Sequence, residues 1–122
     1  MSPLLQVALG GALGAVARYF LALQMARAFG TGFPWGTLAV NAVGCLAIGL
    51  ALGALGPRFA LSPLLITGFL GGFTTFSAFS AEVLVLFERP TPWLAAAYVG
   101  GTLAVTVAAC GLGLWLGRAL GP

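Results

Sequence analysis

The chain has 122 residues, of which 61% are hydrophobic and only 6% charged, whereas a soluble globular domain carries charge on about a quarter of its residues. All five basic residues are arginine, both acids are glutamate and histidine is absent. This excludes Ser-His-Asp and Cys-His catalytic sets and any histidine metal site, and the net charge of +3 is too small and scattered to suggest nucleic acid as a partner.

A membrane helix needs about 20 mostly apolar residues. The chain has room for four, which the pattern places at about 4–28, 34–55, 62–87 and 93–117, in one transmembrane domain spanning 1–122. Four helices bury little of one another, so enclosing a path calls for more than one subunit. The start, Met1-Ser-Pro-Leu-Leu-Gln6, has no basic region. The apolar run after it continues past Arg18, so it reads as a retained first helix and not a cleaved signal.

In the first helix, Gly10-x-x-x-Gly14 has the spacing for close helix approach. Arg18 lies deep in the same helix, at a cost of at least a few kcal/mol unless it snorkels or faces water. It therefore either snorkels to the nearer interface or faces an aqueous vestibule that draws in anions. After the short loop around Gly30, Pro34 suits the first turn of helix 2, and Phe33 and Trp35 suit the membrane interface. Asn41 is the strongly polar residue of helix 2. It either glues two helices together or donates its amide to a passing anion. Gly49-x-x-x-Gly53 repeats the close-approach spacing.

Gly56-Pro57-Arg58 ends helix 2 in a tight turn, and Ser62-Pro63 supplies a cap and first turn for helix 3. The unusual stretch is Gly68-Phe-Leu-Gly-Gly-Phe-Thr-Thr-Phe-Ser-Ala-Phe-Ser-Ala-Glu82. Adjacent glycines such as Gly71 and Gly72 weaken a helix by roughly 1 kcal/mol each. Irregular backbone survives at membrane depth only when buried in protein or lining a wet cavity. The stretch reads either as a helix broken near its middle, with carbonyls and amides available to an ion, or as a glycine packing face with back-bonded hydroxyls. On helix 4, Thr102, Thr106 and Cys110 recur every fourth residue and share one face. Cys45 and Cys110 fall in mid-helix and read as small apolar residues.

With an even number of spans, Arg58 and Arg118 fall on one side and Arg27 and Arg89 on the other. The positive-inside rule then specifies no orientation, which favours insertion both ways and an antiparallel dimer.

Three segments carry a family resemblance: Gly10-Gly-Ala-Leu-Gly-Ala-Val-Ala-Arg18-Tyr19, Gly36-Thr-Leu-Ala-Val-Asn41-Ala-Val-Gly44 and Gly71-Gly-Phe-Thr-Thr-Phe-Ser-Ala-Phe-Ser-Ala-Glu82. Across nearly its whole length the chain resembles the Fluc (CrcB) family of fluoride ion channels. The resemblance implies an all-α membrane protein in a bacterial inner membrane, forming an antiparallel dual-topology homodimer with two pores. It implies a structural sodium ion (Na+) at the dimer centre, held by the backbone carbonyls of Gly71 and Thr74 from both copies. Phe76 and Phe79 would point ring edges at fluoride. Asn41, Ser77, Ser80, Tyr98 and Thr106 would line the path, with Arg18 and Glu82 in the vestibule. Cys110 stands where the family commonly has a hydroxyl, and Ala78 where threonine is frequent.

The chemistry agrees with that implication. Fluoride accepts hydrogen bonds only, so a path must present donors, and Asn41, Ser77, Ser80 and Thr106 supply them. An aromatic ring has a positive edge, and Phe76 and Phe79 share a helical face. The rival is a small dual-topology proton-coupled multidrug antiporter, which needs a titratable carboxylate in the membrane. Here helix 1 carries Arg18 and no acid, leaving only Glu82 near the end of helix 3.

Overall fold

The computed structural model describes residues 1–57 and 62–121. Arg58, counted above toward orientation, lies outside the described residues. α1 (Pro3–Phe29) opens on Ser2, whose Oγ accepts from the Leu5 N–H at 3.1 Å, and ends at Gly30 with φ 78°. α2 (Trp35–Leu55) ends at Gly56 with φ 80°, and Pro34 takes the cap position just before its first turn. Both helix ends place glycine in the positive-φ region that side chains with a Cβ avoid.

The third span, Pro63–Phe87, is built in pieces. Ser62 Oγ accepts from the Leu65 N–H at 3.3 Å and starts a π-helical segment, Pro63–Leu70. A single α turn follows, α3 (Gly71–Phe73). Residues 74–76 form a non-helical link, and Thr74 is extended (φ −86°, ψ 158°). α4 (Ser77–Phe87) completes the span. α5 (Trp93–Leu120) runs beyond the expected end near Gly117. The π winding has no counterpart in the sequence expectations. Its wider turn sits where Gly68 meets Gly10 of α1.

All four spans are long and apolar enough to cross a membrane, and the chain is an all-helical, multi-pass membrane protein. Only 11 to 22% of each span's most apolar window is buried, so most of the apolar surface faces outward. The small core gathers Phe79, Leu86, Ala95 and the fully buried Tyr98 where α4 meets α5. α1 packs along Pro63–Phe73, and α2 along α5. Both contacts run through glycines whose added Cβ would strike opposing backbone. This close approach brings polar side chains of α1, α2 and α5 to the third span. Cys45 and Cys110 are both free thiols.

Candidate functional site at the 74–76 link

A buried backbone group needs a partner, and the 74–76 link takes its partners from outside its own span. In a continuous helix the Thr75 N–H would reach the Gly71 carbonyl. Here it donates to Asn41 Oδ1 at 2.8 Å, while Asn41 Nδ2 donates to the Thr75 carbonyl at 2.9 Å. The Gly72 carbonyl would ordinarily accept from Phe76. It accepts instead from Arg18 Nε at 3.0 Å. The Ala78 N–H would ordinarily reach the Thr74 carbonyl, and it goes to Thr75 Oγ1 at 3.2 Å. Thr75 thereby caps α4. Thr74 folds back, its N–H and its Oγ1 both donating to the Leu70 carbonyl, at 3.0 and 2.9 Å. The carbonyls of Gly71 and Thr74 are thus left without their helical donors.

The link borders a groove of about 410 Å³ walled by α2, the third span and α5. Asn41, Gly71, Thr74, Phe76, Phe79, Thr102 and Thr106 line it. Thr102 is 7% exposed, and its Oγ1 has no hydrogen-bond partner among the described residues. An unpaired buried hydroxyl costs about 1–3 kcal/mol, and this one is enclosed behind the groove wall. Thr106 Oγ1 donates to the Thr102 carbonyl at 2.6 Å, and Ser80 Oγ to the Phe76 carbonyl at 3.0 Å. Those two hydroxyl hydrogens are therefore spent on their own helices in this state. Ser77 is exposed, with Oγ 3.4 Å from Thr75 Oγ1.

Aromatic rings run from the groove toward the far end of α4. Phe76 is 77% exposed and tilts against Phe79, centroid to centroid 5.5 Å. Phe79 packs on Tyr98 at 5.1 Å, and Phe33 meets Tyr98 edge to face at 5.3 Å. Phe33, expected at the interface, thus also packs inward. The Tyr98 hydroxyl points at Glu82 Oε2, 3.4 Å away, and Thr37 Oγ1 donates to Glu82 Oε1 at 2.5 Å. Glu82 therefore ties α2, α4 and α5 together. It opens onto a second crevice of about 270 Å³ that also contains Trp35 and Arg89. The Arg89 Nη1 donates to the Gly32 carbonyl at 2.7 Å.

The structure thus brings Asn41, Gly71, Thr74, Phe76, Phe79 and Thr106 to one groove and sets Tyr98 and Glu82 beyond it. Ser77 and Ser80 lie on the first turn of α4, and Arg18 reaches the link from the α1 side. Three participants were not singled out as site residues: Thr37, Thr75 and Thr102. Thr37 precedes Asn41 by one helical turn, and Thr102 shares the face of Thr106, so helical spacing contained a signal for both. Thr75 acts through backbone and cap geometry, which spacing does not reveal. Among the described residues, no group of three His, Cys, Asp or Glu could hold a metal. The oxygens near the link are backbone carbonyls together with the side-chain oxygens of Asn41, Thr74 and Thr75.

The family model described as "CrcB-like protein, Camphor Resistance (CrcB)" matches residues 5–114. The chain is 49% identical over 124 residues to the fluoride-specific ion channel FluC of Chelativorans sp. (strain BNC1), covering 98% of this chain and 99% of that protein. It is 49% identical over 118 residues to the FluC of Rhizobium etli (strain CIAT 652), covering 93% and 94%. The FluC of Cereibacter sphaeroides (strain ATCC 17029 / ATH 2.4.9) is 52% identical over 111 residues, covering 88% of each. With the family match spanning most of its length and these relatives aligned almost end to end, the chain belongs to the CrcB-like family.

Proposed function

We propose that the chain is a fluoride-selective passive channel that exports cytoplasmic fluoride and so protects a bacterial cell from its toxicity. The carrying observation is the groove at the 74–76 link, lined by Asn41, Phe76 and Phe79, in a chain half identical to proteins named fluoride-specific ion channels. In this reading two copies insert in opposite orientations in the inner membrane and form an antiparallel homodimer with two pores. The outward-facing apolar surface and the 77% exposed Phe76 support a second copy completing each path.

Fluoride entering a pore must exchange water for other donors. Asn41 has a second Nδ2 hydrogen beyond the one given to Thr75, and the Thr102 hydroxyl is unpaired. The edges of Phe76 and Phe79 add positive potential without a charge that would trap the ion. Rotation of Ser77, Ser80 and Thr106 hydroxyls away from their local acceptors adds further donors. Conduction demands that no site bind too tightly, and neutral donors satisfy that demand. Tyr98 and Glu82 close the far end of the track, toward a vestibule.

The link also fits a sodium site. The carbonyls of Gly71 and Thr74 are those whose helical donors are diverted to Asn41 and Thr75. Two such oxygens from each of two copies make a neutral oxygen set suited to a hard cation. A sodium ion held there would supply a fixed positive charge near the anion path.

The test is anion efflux from liposomes containing purified protein, with a potassium ionophore as charge shunt. Fast fluoride loss with chloride retained is expected. No fluoride loss from correctly assembled protein overturns the reading and redirects attention to proton-driven cation exchange at Glu82.

A further inference from the structure

Arg18 stands apart from the groove, yet it makes a long-range hydrogen bond that bears on the link. Its Nε donates to the Gly72 carbonyl at 3.0 Å, across 54 residues of sequence. Gly72 is the residue before Phe73, where α3 ends. Its carbonyl needs a donor only because the helix stops there. A guanidinium at membrane depth is itself expensive unless partnered, and an unpaired carbonyl in an apolar surround is too. The contact supplies the carbonyl with a donor and uses one of the guanidinium's five N–H groups.

The approach that permits this contact is built into α1. Gly14 lies one turn before Arg18, and a Cβ there would strike the Phe69 carbonyl oxygen. One turn earlier, the Gly11 carbonyl would lie 2.6 Å from a Cβ on Gly72. These glycines bring the α1 backbone against α3. Side chains on a helix lean toward its N-terminus, which returns Arg18 from the next turn to the Gly72 carbonyl. On the opposite flank Asn41 holds both backbone groups of Thr75.

We infer that Arg18 is a positioning residue: through its Nε–H it pins the Gly72 carbonyl and, with Asn41 on the other side, holds the 74–76 link in its non-helical form. This rests on the channel reading only for its consequence in flux. The role belongs to the hydrogen bond, and the charge is secondary to it. That distinction is chemically testable. A glutamine amide nitrogen follows Cβ, Cγ and Cδ, as arginine Nε does, so Arg18→Gln keeps a donor at the same reach and loses the charge. Arg18→Met keeps length without a donor. Arg18→Lys keeps the charge and places its nitrogen one atom farther out.

The experiment reconstitutes each full-length variant in liposomes and reads two quantities. One is fluoride efflux, and the other is amide hydrogen exchange of residues 74–78. Arg18→Met should lower efflux at least about tenfold and speed exchange of the link amides by a similar factor, the scale of a lost charged hydrogen bond. Arg18→Gln should keep both within about threefold of the parent chain. Equal losses of efflux in Arg18→Gln and Arg18→Met, with link amides protected in both, would assign Arg18 to charge and overturn the proposal. Unchanged exchange in Arg18→Met would also overturn it. Should Arg18→Met fail to assemble, Arg18→Gln against Arg18→Lys decides. Lysine performing as well as glutamine or better in both readouts sinks the positioning role. If the parent chain moves no fluoride, the channel reading fails while the exchange comparison still judges the clamp.

Discussion

Two seams hold this chain together, and they use the same small-residue spacing to different ends. Between α2 and α5 the contact is reciprocal. A Cβ on Gly49 would strike the Cys110 carbonyl oxygen, and one on Gly113 the Leu46 carbonyl oxygen, with Gly53 and Gly117 repeating the pattern a turn later. Both helices there are continuous. Between α1 and the third span, Gly10 and Gly14 meet Leu64, Phe69 and Phe73 just as closely. Yet there the partner is π-wound and then stops being helical. Glycine permits close approach in both places, so it does not explain the difference. Polar supply does. At the link, Arg18 and Asn41 satisfy backbone groups that the helix has released. Along α5 the conspicuous hydroxyl, Thr106, bonds its own helix. Irregular backbone persists at membrane depth where neighbouring side chains supply its hydrogen bonds.

The largest effects should come from filling either seam. Gly14→Val and Gly49→Val each force a branched side chain into opposing backbone, which exceeds the roughly 1–3 kcal/mol of ordinary overpacking. Neither should yield monodisperse protein on gel filtration. Gly32→Ala, where a Cβ meets nothing within 4 Å, should behave as the parent chain. Normal behaviour of Gly49→Val would break the equivalence of the two seams.

Next in size is Asn41→Asp. It sets a carboxylate oxygen against the Thr75 carbonyl and a negative charge beside the groove, removing a hydrogen bond and repelling the anion. Fluoride efflux should fall by about a hundredfold, the combined scale of a lost buried hydrogen bond and an unpaired buried charge. Phe76→Ile should lower efflux by about tenfold through the lost ring edge. Because Phe76 is 77% exposed within the chain, folding should be spared, which a thermal melt checks.

The smallest effect belongs to Thr102. Replacing an unpaired hydroxyl by an isosteric methyl costs little or stabilises, so Thr102→Val should melt no lower than the parent chain. Its efflux should drop by about threefold as the unpaired hydroxyl beside the groove is lost, and Thr102→Ser should restore it. A lower melting temperature for Thr102→Val would mean that the hydroxyl has a structural partner after all, erasing the contrast between a spent Thr106 and an unspent Thr102.

Much of the fold was legible because its causes are local. Hydropathy over some 20 residues marks a span, and Ser62 before Pro63 announced a helix start that the structure keeps. Gly10, Gly14, Gly49 and Gly53 announced close approach, though not which helix each would meet. The site was legible as residue types rather than as bonds. Asn41, Glu82 and the Phe76–Phe79 pair stood out as polar or aromatic exceptions in apolar spans. Thr75 did not, since its contribution is a backbone pair and a cap.

By itself the sequence determined four spans, their glycine faces and a set of neutral donors without histidine, lysine or aspartate. Those follow from composition and from spacing within one helix. Only the tertiary structure decided that Asn41 serves Thr75, that Thr37 serves Glu82 and that Arg18 serves Gly72, across 34, 45 and 54 residues. A polar group in an apolar surround is under pressure to find a partner. Which partner it finds depends on how closely helices far apart in sequence approach, and that is a property of packing.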